Sequence, residues 1–140
     1  MPAKMKSRAA PRHRLLIVDD EESVRLLLAR LASKGLKAEV QLAGTCEQAL
    51  HLARNYAYDA ILLDLMMPGI GGFAVLQEIR ADSANMTTPI LIVSAMEDLD
   101  TNDRCLAAGA NGFLVKPVDQ RALVIAVSSL LAGRGKPKTS

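Results

Sequence analysis

The feature of this sequence that most constrains its fold is a fivefold alternation of short apolar runs with longer amphipathic segments. The short runs lie at residues 15–18, 39–43, 60–63, 90–93 and 112–115. Most are continuously apolar and rich in Ile, Val and Leu, which is typical of strands covered on both faces in a parallel sheet. Each run is followed by a segment with helical periodicity, so the sequence predicts five consecutive βα units.

Short connections between such units favour right-handed crossovers that place helices on both faces of one sheet. The expected class is therefore α/β, with a flavodoxin-like three-layer sandwich and a parallel five-stranded sheet in the order 2-1-3-4-5. At 140 residues, the chain accommodates one domain of this kind. We place that domain at residues 15–132.

The helix-forming segments carry recognisable end signals. The first has an apolar stripe at helical spacing, formed by Val24, Leu27, Leu28 and Leu31. Lys34 followed by Gly35 predicts its C-terminal cap. Thr45 and Gln48 predict a capping box at the start of the second helix, and Asp119 is expected to cap the fifth.

Charge is distributed unevenly along the chain. Residues 1–14 carry five basic side chains and residues 133–140 carry three, and neither segment has an acidic one. Residues 15–132 hold nine basic and fifteen acidic side chains. We interpret both basic tails as flexible, solubilising segments rather than nucleic-acid contacts, because they lack interleaved aromatic residues and a folded basic face.

Membrane attachment and export are not predicted. No apolar run approaches the roughly 20 residues of a spanning helix, and the apolar stretch after the basic N-terminus is too short for a signal peptide. Cys46 and Cys105 form neither a disulfide framework nor a metal-ligand pattern. The expected location is the reducing cytoplasm.

Several polar residues collect at the carboxyl ends of the predicted strands, where sites form in parallel sheets. Asp19 and Asp20 follow strand 1, Asp64 follows strand 3, Ser94 ends strand 4 and Lys116 follows strand 5. A lone carboxylate at a strand end is usually a helix cap or a solvated loop residue. Three that converge repel one another unless a cation neutralises them.

The chemistry expected at this edge is phosphoryl transfer. Carboxylate oxygens suit Mg²⁺, whereas Zn²⁺ would require a Cys/His set that the sequence lacks. Asp64 is the favoured nucleophile because strand 3 lies centrally, which leaves Asp19 and Asp20 to hold the metal. Lys116 and Ser94 would then stabilise the phosphoryl oxygens.

Four segments together closely resemble the response-regulator receiver family, in the family's order. They are LLIVDD at residues 15–20, ILLDLMMPG at 61–69, ILIVSA at 90–95 and GFLVKP at 112–117. The resemblance implies that Asp64 is phosphorylated, that Asp20 ligates Mg²⁺ directly and that Asp19 assists, often through water. The backbone carbonyl of Met66 would complete the protein ligands, and Mn²⁺ is expected to substitute for Mg²⁺.

The same resemblance assigns the remaining positions of the site. Lys116 would contact the phosphoryl group, and the Lys116–Pro117 peptide is expected to be cis. Ser94 and Phe113 occupy the two switch positions of the family. The phosphoryl group would draw Ser94 inward and let Phe113 turn in behind it, which biases the face built from helix 4, strand 5 and helix 5.

The function implied is a switch module rather than an enzyme, catalysing only its own phosphorylation and dephosphorylation. The phosphoryl group would come from a sensor histidine kinase or a histidine phosphotransfer protein and would control an unknown downstream effector. One alternative is a receiver fragment of a larger regulator with a DNA-binding or enzymatic output domain. An aspartyl phosphohydrolase is disfavoured, because such enzymes carry Asp-x-Asp after strand 1 and a cap domain, whereas this strand ends in Asp19-Asp20-Glu21.

Two further expectations concern apolar side chains. Met66 and Met96 lie at positions that flank the path of water to the aspartyl phosphate in this family, which predicts slow self-dephosphorylation. Val124 and Ile125 lie outside the core-facing stripe of helix 5, which predicts an exposed patch for dimerisation or partner docking. Leu26 predicts a second contact face on helix 1, where family kinases dock.

Overall fold

The computed structural model describes residues 13–95 and 99–134, in which five strands alternate with five helices. The strands are β1 (Arg14–Val18), β2 (Glu39–Ala43), β3 (Ala60–Leu63), β4 (Ile90–Ser94) and β5 (Gly112–Val115). The helices are α1 (Glu22–Leu36), α2 (Cys46–Asn55), α3 (Gly71–Ala81), α4 (Leu99–Ala107) and α5 (Gln120–Arg134). Met96 and the greater part of both basic tails, residues 1–12 and 135–140, lie outside the described residues, so the expectations about them stay predictions.

The five strands form one parallel sheet in the order β2-β1-β3-β4-β5, which confirms the predicted flavodoxin-like arrangement. Alternate residues of each strand point to opposite faces. Leu16, Ile61 and Ile92 therefore pack with α2, α3 and α4, whereas Ile17 and Leu62 pack with α1 and α5. The result is the three-layer sandwich expected from the sequence.

Two predicted N-terminal caps are observed. The hydroxyl of Thr45 accepts a hydrogen bond from the Gln48 amide at 3.0 Å, and the Gln48 side chain accepts one from the Gly44 amide at 2.8 Å. In a capping box the Gln48 side chain would bind the amide of the cap residue, Thr45, whereas here it binds the amide one residue earlier. Asp119 Oδ1 accepts from the Ala122 amide at 2.8 Å at the start of α5.

The predicted C-terminal cap of α1 is wrong. The helix continues through Gly35 to Leu36, and Lys37 takes the left-handed conformation with φ of 52°. Gly35 lies where α1 crosses α5, and a Cβ there would come within 2.4 Å of Val124 Cγ2. The glycine therefore allows close helix packing, and the chain turns two residues later.

Two apolar side chains differ from their predicted exposure. Leu27 belongs to the predicted core stripe of α1 but is 46% exposed, and Ala32 is fully buried instead. Val124 is only half-buried beside α1, whereas Ile125 is 60% exposed as expected. Leu26 is exposed, also as expected.

The predictions about cysteines and membrane spans can be compared with the described residues. Cys46 and Cys105 are free and buried, and burial raises the pKa of the Cys105 thiol. Within the described ranges, none of the helices is both long enough and apolar enough to cross a membrane.

Candidate functional site

The backbone of the sheet places two aspartates side by side, although 45 residues separate them in the chain. The Asp19 amide donates to the Ala43 carbonyl at 3.1 Å, and the Asp64 amide donates to the Val18 carbonyl at 3.0 Å. The ladder hydrogen bonds thus extend one residue past β1 and β3. Both side chains are fixed at the carboxyl edge of the sheet, where the sequence predicted the site.

Three carboxylates form a compact cluster at this edge. One oxygen from each of Asp19, Asp20 and Asp64 lies within 4.8 Å of the others. Asp19 and Asp64 are 1% and 4% exposed, whereas Asp20 is open to solvent. Such a set of hard oxygen donors with one solvent-facing member can hold a divalent cation that keeps part of its water shell.

Lys116 supplies a positive charge to the two buried carboxylates. Its Nζ lies 2.6 Å from Asp19 Oδ2 and 3.3 Å from Asp64 Oδ2. Burial lowers the pKa of Lys116, but the hydrogen bond to Asp19 and the charges of both aspartates outweigh it, so the net pKa is raised. The ammonium therefore stays charged. The Lys116–Pro117 peptide is cis, as predicted.

The second oxygen of each buried carboxylate is held by its own loop. Asp19 Oδ1 accepts from the Glu21 amide at 2.9 Å, and Asp64 Oδ1 accepts from the Met66 amide at 3.1 Å. Each carboxylate is thus bound on one side by a backbone N–H and on the other by Lys116. Met66 lies in the loop directly after Asp64, and its role as a carbonyl ligand stays a prediction.

The two predicted switch residues lie on neighbouring strands. Ser94 ends β4 and is fully buried, and its carbonyl accepts from the Lys116 amide at 2.9 Å. Phe113 pairs with Ile92 in the β4–β5 register and is half-buried against the core beneath α3 and α4. Their positions agree with the predicted arrangement, while their motion on phosphorylation stays a prediction.

Two residues beside the site were missed by the sequence analysis. Gly72, in the first turn of α3, lets that turn approach the site, since a Cβ there would lie 2.1 Å from the Asp64 carbonyl oxygen. Arg25 of α1 donates from Nη1 to the Asp19 carbonyl at 2.8 Å. Arg25 could have been singled out from the sequence because it lies one turn into the helix that follows Asp19 and Asp20.

Comparison with known proteins agrees with this fold. Residues 15–128 match the family model of the response regulator receiver domain. A probable transcriptional regulator ycf27 of Cyanidium caldarium is 38% identical over 120 residues, covering 85% of this chain and 46% of that protein. This chain therefore belongs to the response regulator receiver domain family, and it spans less than half the length of curated relatives such as this one.

Two solved structures illustrate the similarity in three dimensions. A CheY-like response regulator receiver domain protein from Methanospirillum hungatei has a TM-score of 0.82 at 23% identity, covering 89% of this chain and 97% of its own. The receiver domain of the sensor histidine kinase PA1611 from Pseudomonas aeruginosa, with a magnesium ion coordinated in its active site cleft, has a TM-score of 0.79 at 26% identity. That alignment covers 87% of this chain and 99% of the other.

Proposed function

We propose that this protein accepts a phosphoryl group on Asp64 from the phosphohistidine of a sensor kinase or a phosphotransfer protein. The observation that carries the proposal is the contact of Lys116 with Asp19 and Asp64 inside a three-carboxylate cluster. A buried carboxylate with one oxygen bound by a backbone amide and the other beside an ammonium is suited to attack a phosphorus atom.

Mg²⁺ fits the donor set formed by Asp19, Asp20 and Asp64. All three donors are oxygen, and the exposed carboxylate leaves a side for the waters that Mg²⁺ retains. When bound, the ion supplies positive charge that stabilises the phosphoryl oxygens during transfer. The magnesium ion in the PA1611 receiver domain supports this assignment, and we expect Mn²⁺ to replace it.

The residues of this chain divide the transfer step among them. The Asp64 oxygen that faces Lys116 forms the new bond to phosphorus while the bond from phosphorus to the donor imidazole nitrogen breaks. That nitrogen leaves with its electron pair and takes a proton from solvent. Lys116 keeps its proton throughout and exchanges a carboxylate contact for a phosphoryl oxygen. In this proposal the site acts on no other substrate, and its chemistry is limited to its own phosphorylation and dephosphorylation.

Two apolar surfaces are available for partners. Leu26 and Leu27 are exposed on α1, beside a cleft of about 280 Å³ that reaches Lys116 and Pro117, and this surface suits the phosphodonor. On the α4–β5–α5 face, the exposed apolar side chains among the described residues include Leu106, Val115 and Ile125. We assign that face to the effector or to a second copy of the chain, under control of Ser94 and Phe113.

The proposal is tested by phosphorylation and by capture of partners. Incubation with a small phosphoryl donor and Mg²⁺ should add one phosphoryl group to wild type, as seen by intact mass spectrometry, and none to Asp64→Ala. Asp82→Asn, which changes an exposed aspartate after α3, should behave as wild type. Equal labelling of Asp64→Ala and wild type would refute the assignment. Partners retained with beryllofluoride by wild type and not by Asp64→Ala identify the output.

A second candidate is the receiver module of a longer regulator with a DNA-binding or enzymatic output domain. The relative from Cyanidium caldarium favours it, because the matched segment is 46% of that protein. The coding sequence beyond Ser140 distinguishes this candidate from a stand-alone receiver. The phosphoryl chemistry of the site is the same in both.

A further inference from the structure

The peptide group that joins Asp19 to Asp20 is held by a side chain from α1. Arg25 Nη1 donates to the Asp19 carbonyl at 2.8 Å, across six residues. Since α1 begins at Glu22, this carbonyl lies outside the helical ladder and needs its donor from elsewhere. The Asp19 amide is bonded to the Ala43 carbonyl. Both peptide groups that flank Asp19 are thus fixed in direction.

Gly44 leaves the room that the Arg25 guanidinium occupies. A Cβ on Gly44 would lie 2.6 Å from Nη1 and 3.0 Å from Cζ of Arg25. The φ of Gly44 is not in the left-handed region, so an alanine there is conformationally allowed. What the glycine provides is space, and a methyl group at this position would displace the guanidinium without changing any charge.

We propose that Arg25 is a positioning residue for the divalent-cation site, acting through the Asp19–Asp20 peptide on the direction of the Asp20 carboxylate. Asp20 is exposed, and no hydrogen bond or ion pair to its side chain is found within residues 13–95 and 99–134. The direction of its carboxylate therefore depends on the backbone to which it is attached. The inference rests on the proposed function, because it assumes that the cluster of Asp19, Asp20 and Asp64 binds Mg²⁺.

The direction in which Mg²⁺ affinity changes when Arg25 is neutralised distinguishes a positioning role from a purely electrostatic one. Arg25 is a cation close to a site for a divalent cation, so its charge alone opposes metal binding. If charge were its whole contribution, replacing it with a neutral residue would strengthen Mg²⁺ binding. If it orients the Asp19–Asp20 peptide, the same replacement weakens binding, because the three carboxylates no longer converge.

Metal affinity is measured on the full chain by the loss of the free Mn²⁺ signal in electron paramagnetic resonance, with Mg²⁺ as competitor. Arg25→Met is expected to weaken both ions about tenfold, which is the lower end for residues that orient metal ligands. Arg30→Met removes the same charge from an exposed position on the same helix and should leave affinity unchanged or slightly higher. Gly44→Ala should weaken binding in the same direction as Arg25→Met, at constant charge.

A double-mutant cycle completes the test. In the Arg25→Met background, Gly44→Ala should add little, because the guanidinium that its methyl group would displace is gone. The proposal is overturned if Arg25→Met leaves affinity unchanged or raises it, or if Gly44→Ala has the same effect in both backgrounds. Metal-free thermal unfolding checks that the variants are folded.

The controls distinguish a failure of the proposed function from a failure of the role assigned to Arg25. Should Arg25→Met fail to fold, Arg25→Lys and Gly44→Ala carry the test, and Arg25→Lys is expected to retain part of the affinity because its ammonium can donate one bond to the Asp19 carbonyl. A wild-type protein that binds neither Mn²⁺ nor Mg²⁺ contradicts the proposed function itself. A wild type that binds both ions while Arg25→Lys, Arg25→Met and Gly44→Ala match it contradicts only the role of Arg25.

Discussion

At the scale of single residues, Lys116 joins two buried carboxylates that would otherwise repel each other. The sequence predicted these three residues at one edge, because strand ends in a parallel sheet are neighbours. It did not predict that the ammonium contacts Asp19 more closely than Asp64, at 2.6 Å against 3.3 Å. That preference depends on the path of the chain after β5, which periodicity does not encode.

Removing this ammonium should destabilise the metal-free protein. In Lys116→Met, Asp19 and Asp64 lose their counter-charge while they remain buried, which typically costs about 3–5 kcal/mol. Urea unfolding without metal should show this loss, and added Mg²⁺ should restore more stability to the variant than to wild type. Arg30→Met is the matched control. A Lys116→Met variant as stable as wild type without metal would contradict the counter-charge role.

The raised pKa of Lys116 also predicts how stability depends on pH. Because its pKa is higher in the folded than in the unfolded chain, its contribution is complete below the unfolded value of 10.5 and is lost as pH rises through the folded value. Burial raises the pKa of Tyr58 as well, so the wild type loses stability in this range for two reasons. The difference in unfolding free energy between wild type and Lys116→Met isolates the contribution of the lysine. Measured by urea unfolding from about pH 8 upward, this difference should shrink at high pH.

Met66 predicts a long-lived aspartyl phosphate. Its side chain is 56% exposed in the loop directly after Asp64, and a thioether offers little to orient an attacking water. Met66→Gln, alone and with Met96→Gln, should shorten the phosphoryl lifetime severalfold, as followed by loss of the label over time. Met86→Gln, an exposed methionine after α3, serves as control. Lifetimes that stay equal in all variants would reject the prediction.

At the scale of elements, the contact between α1 and α5 is a feature that local sequence patterns did not predict. Strands, helices and their order follow from alternation and periodicity. The end of α1 does not, because Lys34-Gly35 has the pattern of a helix cap while Gly35 in fact makes room for Val124. The distance between helices α1 and α5, which lie 84 or more positions apart in sequence, is not contained in a local pattern. Leu27 is exposed because it lines the open cleft beside Lys116 and Pro117, a long-range arrangement that periodicity does not encode either.

Gly35→Ala tests this explanation. Alanine favours a helix over glycine by about 1 kcal/mol, but its methyl group would meet Val124 at 2.4 Å. Overpacking typically costs about 1–3 kcal/mol, so we expect a net loss of up to about 2 kcal/mol in urea unfolding. In a Val124→Ala background the effect should be neutral or stabilising. Gly133→Ala, in α5 with open space around it, should be neutral or stabilising. A Gly35→Ala protein more stable than wild type would contradict the packing explanation of that glycine.

At the scale of the whole molecule, two of the surfaces that carry exposed apolar side chains lie apart from each other. Leu26 and Leu27 lie on α1, and the second group comprises Leu106, Val115 and Ile125. A chain that must meet a phosphodonor and then an effector needs two such surfaces, so that one contact does not block the other. The sequence predicted both surfaces from apolar residues that lie outside the core-facing stripes of their helices. It wrongly placed Val124 on the second surface, because α1 partly covers that side chain.

The second surface yields a prediction about association. Ile125→Ser should abolish self-association of the beryllofluoride-loaded protein while leaving phosphorylation of Asp64 intact, because Ile125 lies on α5 away from the carboxylates. Sedimentation velocity with and without beryllofluoride measures it, and Leu26→Ser, on the other surface, should associate as wild type. If wild type sediments as a monomer in both conditions, the predicted self-association is wrong, and a different protein is the expected partner of this face.

The contact between Asp19 and Lys116 joins residues 97 positions apart, and it requires both β1 and β5. A chain folded only as far as β4 holds the acidic residues without the ammonium that balances them. Under the proposed function, such a chain, whether still emerging from the ribosome or cut by a protease before Lys116, lacks the residue that would contact the phosphoryl group. The proposed acceptance of a phosphoryl group therefore depends on completion of the sheet.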